Sequence, residues 1–208
     1  MPVWNATNVS HLLARTLFGY SKNDLSLAQG YGTYADLVDR AILKDNPQPK
    51  APNTWVNTTP AASQTTSGET GTWYREFNYW WFDLMHKEGL SMREKMVLFF
   101  HNHFANERDK VQYPQNMYAQ NALFRKYAFG NFKQLVKEIS IDPSMLIYLD
   151  GNNSRGSAPN ENYARELMEL FTMGIGNYTE TDIKQAAKVL SGWQVSGLTS
   201  TFVASRWY

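Results

Sequence analysis

Apolar side chains recur along this chain with the three-to-four-residue rhythm of helices, and glycine, proline and capping residues interrupt them. From Asn8 to Phe18, the residues Val9, Leu12, Leu13, Leu17 and Phe18 fall on one helical face, and Gly19 closes the segment. Ser21 opens a short helix that stops near Gly30, and Thr33 caps another through Tyr34, Leu37, Val38, Ala41 and Ile42. The pattern then lapses over residues 45–72, which hold four prolines, many Ser and Thr, and few large apolar side chains. This composition predicts a long loop, extended or disordered and not packed. A very aromatic helix follows from Trp73 to Lys87, ended by Gly89. In "SMRE", Ser91 and Glu94 have capping-box spacing, in which each side chain satisfies a free backbone N–H at the start of a helix. Pro114, Asn131, Asp142–Pro143, Pro159 and Thr179 mark further helix starts, with Gly130, Gly174 and Gly192 as stops. Only the last dozen residues hint at period-two alternation. The fold class predicted is mostly α: a multi-helix single domain, residues 1–208, with one long Pro/Ser/Thr-rich loop.

Composition narrows the function classes. With 208 residues, 43% of them hydrophobic, the chain can bury a substantial core. Twenty basic residues against nineteen acidic ones give a net charge of +1 and no basic run, which argues against nucleic-acid binding. The absence of cysteine excludes disulfides, thiolate metal sites and cysteine nucleophiles. No stretch is apolar for long enough to span a bilayer, and no export signal is visible at the start.

Two constellations can carry chemistry. The first is "FFHNHFANERD", where His101 and His103 sit one residue apart. On a helix starting at Met92, His103 falls among Met96, Phe99, Phe100 and Phe104, while His101 lies almost opposite. A helix running through Phe104 makes the rings diverge; one ending near Phe100 turns them the same way and permits a shared metal site. His103 is then either a hydrogen-bonded core histidine or an acid–base or metal residue.

The second is "PNENYARELMELFTMG". Glu161–Arg165 and Arg165–Glu169 have the spacing of an exposed salt-bridge ladder. Glu166 falls at the edge of the apolar face beside Leu170 and Met173, so its carboxylate needs a cationic or metal partner, or a raised pKa. Arg15, Arg125 and His103 are the candidate partners. Asn152, Asn153 and Gly156 form a polar loop leading into this helix, where an anion could sit. The seven aromatics between Trp73 and Phe82 suit packing better than sugar stacking. Phosphate-cradling glycine loops, the serine-hydrolase elbow and the His-Glu-x-x-His zinc motif are missing.

Four longer stretches, "HLLARTLFGYS", "REKMVLFFHNHF", "QNALFRKYAFGNFKQLVKEISIDPSMLIYLDG" and "APNENYARELMELFTMGIGNYTETDIKQAAKVLSGW", together resemble a bacterial family known as a domain of unknown function, DUF1800. The resemblance covers nearly the whole chain outside the Pro-rich segment. It implies an exported protein, periplasmic or extracellular, encoded beside a sulfatase-like exported protein. It also implies a longer chain continuing with a His-Asp pair, roughly where Trp207 and Tyr208 stand, so the sequence reads as an N-terminal portion or a shortened member. Two functions follow as expectations. One is a helical interaction or structural module with a protein partner, its polar residues forming a buried network that fixes helix registry. The other is a hydrolase-like enzyme using His101, His103 and Glu166, with a divalent metal on those three side chains in its metal-assisted form and Asn160 or Arg165 orienting substrate.

Overall fold

The computed structural model describes residues 3–208, apart from the side chains of residues 65 and 66. The chain folds into α1 (Ala6–Thr16), α2 (Lys22–Gln29) and α3 (Tyr34–Leu37), the last running into a wider turn over Val38–Ile42. Asn5, Ser21 and Thr33 cap these helices, each side chain accepting a backbone N–H from the first turn. Their apolar faces close on one another around Val9, Leu13, Leu37 and Ile42, a small core of their own.

The Pro-rich segment departs from the expected unpacked loop. Residues 44–53 and 58–61 carry no regular structure, but a 3-10 turn at Thr54–Asn57, α4 (Ala62–Ser67) and the first turn of α5 (Glu69–Lys87) occupy most of the rest. Trp55 is only 4% exposed: its ring stacks on Trp73 at 5.5 Å and its indole N–H donates to Glu76 at 2.7 Å. One tryptophan thus anchors a segment whose average composition reads as a linker, because burying a single indole outweighs a polar neighbourhood.

The main core lies between α5, α6 (Arg93–His103), α8 (Pro114–Lys126), α9 (Phe132–Ile139) and α10 (Pro143–Tyr148), with the one-turn α7 (Arg108–Val111) at its edge. Phe77, Trp81, Val97, Phe100, Phe104, Phe124, Leu135 and Leu146 fill it. A tight polar turn at Gly151–Asn153 leads to α11 (Glu161–Glu169), which packs on α12 (Glu180–Val189) through Ala164, Ile183 and Ala187. Gly151 is required there, since a Cβ would meet Leu146 and Tyr163 within 3 Å. The chain ends in an antiparallel hairpin, β1 (Trp193–Ser196) with β2 (Thr199–Phe202), in which Trp193 faces Phe202. The architecture is mostly α, and no helix among the described residues is long and apolar enough to cross a membrane.

Candidate functional site

α6 runs unbroken to His103, so the two histidines diverge. The His103 ring stacks parallel to Phe99 at 6.0 Å and lies near Phe132 and Phe171, and its Nε2 is 2.8 Å from the Phe171 carbonyl. His101 is half-exposed, but it does not lie on an open polar face opposite the core. Its ring meets Trp81 edge-on at 5.2 Å and lies 6.4 Å from Phe124, and burial pushes its pKa below the usual imidazole range. The wheel fails because the inner stripe of α6 is Arg93, Glu94, Val97, Phe100 and Phe104, leaving Phe99 largely outside. Two charged residues sit where an apolar pattern predicts the surface.

The residues of α11 also depart from expectation. Glu166 is half-buried, but it makes no side-chain hydrogen bond or ion pair among the described residues. Arg15 and Arg125 are not its partners. Arg165 leaves the predicted ladder and forms a two-pronged pair with Glu180 at 2.8 Å on each arm, while Glu169 accepts from the Tyr178 hydroxyl. Asn160 caps α11, its Oδ1 accepting from the Tyr163 N–H at 3.0 Å and its Nδ2 donating to the Leu149 carbonyl at 2.8 Å. Among the described residues no three His, Asp or Glu side chains gather in a way that can hold a metal ion. His101, His103 and Glu166 are therefore not one ligand set.

The polar centre of the fold lies elsewhere. Arg125 on α8 donates from Nε and Nη2 to Glu94 on α6 at 2.5 and 2.7 Å, and the Trp81 indole donates to the same carboxylate at 2.9 Å. Asn121 accepts from Arg125 at 2.8 Å, and the guanidinium lies 5.2 Å from the Trp80 ring centroid. Ser91 and Glu94 do not form the predicted capping box. Ser91 accepts from the Arg93 N–H, and Glu88 reaches the Glu94 N–H at 2.7 Å. Burial raises the Glu88 pKa, with Arg93 Nε 3.5 Å from its other oxygen. A second buried chain runs from Asn106 to Gln120 to Asp142, whose carboxylate also caps α10. With no cation against it among the described residues, burial raises the Asp142 pKa to about 7. The hint in the sequence was α8 itself: Gln115, Asn116, Gln120, Asn121 and Arg125 lie on several sides of this helix, and all are buried. Polar side chains normally read as solvated, so the signal points the wrong way.

A family model described as "Protein of unknown function (DUF1800)" matches residues 11–206. The chain belongs to the DUF1800 family. No curated protein and no solved structure matches it.

On the outside of this DUF1800 fold, α9, α12 and the hairpin line a shallow, open apolar groove of about 500 Å³. Val136, Ile141, Val189, Leu190, Trp193, Phe202 and Trp207 form its wall, with Lys137 and Ser140 the polar members. Val189 is 68% exposed and Trp207 is 52% exposed, and the hairpin is tied to the helices by Ser200 donating to the Ile141 carbonyl at 2.5 Å. Lys133 and Lys137, one turn apart along α9, are exposed and have no ion-pair partner among the described residues.

Proposed function

We propose that this chain is a helical protein-interaction module that receives an acidic amphipathic helix of a partner protein in the groove between α9, α12 and the hairpin. The observation that carries this reading is the groove: large apolar side chains exposed to water along one wall, with the unpaired Lys137 in its lining and the unpaired Lys133 one turn away along α9. The largest exposed apolar patch of a protein is often an interaction site. Helix-in-groove recognition sets apolar anchors at i, i+3 and i+7 against such a wall, and acidic residues beside the anchors would meet Lys133 and Lys137. We take the partner to be another exported protein, as the resemblance to the family suggests. In this reading the Glu94–Arg125 centre is a buried polar network that fixes helix registry and takes no part in chemistry.

The test uses two synthetic amphipathic helices with the same leucine anchors, one flanked by glutamates and one by lysines. The glutamate peptide is expected to bind, the lysine peptide not. Val189→Asp should abolish binding, and the double charge reversal Lys133→Glu with Lys137→Glu should invert the preference. Equal binding of both peptides, or binding that survives Val189→Asp, counts against the reading.

The hydrolase alternative retains one supporting observation, the unpartnered Glu166 carboxylate on the helix whose following turn meets His103. Its test is turnover of a panel of simple esters by the wild-type protein and by Glu166→Gln.

A further inference from the structure

Packing accounts for five of the seven aromatic side chains between Trp73 and Phe82: Tyr74, Phe77 and Trp81 are buried in the main core, and Trp73 and Trp80 pack against it. Tyr79 and Phe82 point the other way. They are 72% and 67% exposed, more than any other aromatic side chain among the described residues. Along α5 the exposed Arg75, Tyr79, Phe82 and His86 follow one another at steps of four, three and four, the alternation of a coiled-coil seam. At about 100° per residue the four directions fall within about 60° of one another. Beside this stripe, Phe18, Met85 and Leu98 continue the apolar surface in an open cleft of about 840 Å³.

The charges on the same helix say what kind of helix covers the stripe. Arg75 has no carboxylate partner among the described residues, and its guanidinium donates to the Thr72 hydroxyl of its own helix at 3.3 Å. Two turns further on, Asp83 pairs with Lys87 at 2.7 Å in an exposed contact, which leaves the carboxylate open to a second cation. A copy of α5 running parallel would set like charges side by side. A copy running antiparallel, with a two-fold axis between Tyr79 and Phe82, lays Tyr79 of each chain on Phe82 of the other and brings each Arg75 within one turn of the other Asp83. The stripe is therefore complementary to itself in one orientation, which is what an isologous dimer requires. A net charge of +1 sets little long-range repulsion between copies. With 19 residues, α5 is about 28 Å long, so the contact can run the width of a small domain.

We propose that two copies of this chain associate through α5, packed antiparallel about Tyr79 and Phe82, with Arg75 of each copy on Asp83 of the other. This surface shares no residue with the groove between α9, α12 and the hairpin, so self-association and peptide binding are tested separately.

The experiment measures the mass of the full chain by analytical ultracentrifugation as its concentration rises from about 1 to about 200 µM. The mass is expected to climb from the 23.9 kDa of one chain toward twice that value. Phe82→Lys, at an exposed position, should leave the melting temperature of dilute protein unchanged and weaken association at least tenfold. Arg75→Asp and Asp83→Arg should each weaken it as much, because each sets like charges against one another. Mixing these two variants, or combining both changes in one chain, returns opposite charges across the seam and should restore the wild-type dissociation constant to within about threefold. Non-specific adhesion of exposed aromatics would not respond to the swap. The proposal is overturned if the mass stays at that of one chain throughout, if Phe82→Lys dimerises like the wild type, or if the swapped charges fail to restore association.

Discussion

Arg125 and Glu94 form a two-pronged ion pair at 2.5 and 2.7 Å in the middle of the helical core, each side chain 1% exposed. Because neither charge can recover water when the other is removed, Arg125→Met should cost about 3–5 kcal/mol by urea denaturation. Lys126→Ala, which breaks the exposed pair with Glu138, should cost less than about 1 kcal/mol. The double change Glu94→Leu with Arg125→Met should regain most of the loss. Equal effects of Arg125→Met and Lys126→Ala would show that the pair is not shielded as the geometry requires.

Asp142 gives the fold a pH dependence of defined sign. Its folded pKa of about 7 lies above the ordinary carboxylate value, so the native state keeps a proton that the unfolded state has lost. Stability from this group is full in acid and declines as pH rises from about 4 to about 7, at up to about 1.4 kcal/mol per unit. Asp142→Asn preserves the acceptor for the Met145 N–H and the Gln120 amide and should flatten that slope. Denaturation curves at pH 4.5, 6 and 7.5 for both proteins measure it.

His101 acts at the other end of the same range. Burial lowers its pKa, so below the unfolded value near 6.5 the unfolded chain takes up a proton that the native ring resists, and stability falls as pH drops. His101→Phe keeps the edge contact with Trp81 and should remove this loss. An unchanged stability ratio between pH 5 and pH 7.5 in the two proteins would argue that the ring is not desolvated.

Glu166 and Trp55 reverse what their sequence context suggests. Glu166→Ala should change stability by less than about 1 kcal/mol, close to Arg165→Ala, because one has no partner and the other loses only an exposed pair. Trp55→Ala should cost about 3–5 kcal/mol, as large aromatic truncations in a core do. In limited proteolysis, residues 44–53 should be cut before residues 54–57, and Trp55→Ala should open the latter stretch as well.

Local signals carried much of this fold. The caps at Ser21, Thr33, Asn131, Asp142 and Thr179 are where their side-chain chemistry predicts, because a cap needs only a neighbour three residues away. The divergence of His101 and His103 also followed from sequence, once the helix was taken to run through both. Which side of a helix faces inward did not. α6 and α8 turn Glu94 and Arg125 toward the core because each is satisfied by the other, 31 residues away, and by the Trp81 indole; no periodicity within one helix can report a partner on another. The same reason hid the buried Trp55 in a polar stretch and left Glu166 without the basic partner its wheel position called for. Sequence by itself determined most helix starts, since a cap is made by bonds within one turn, although α4, α7 and the first turn of α5 escaped it. Tertiary structure alone decided which polar groups are buried, because the free energy of burying a charge depends on what else arrives to meet it.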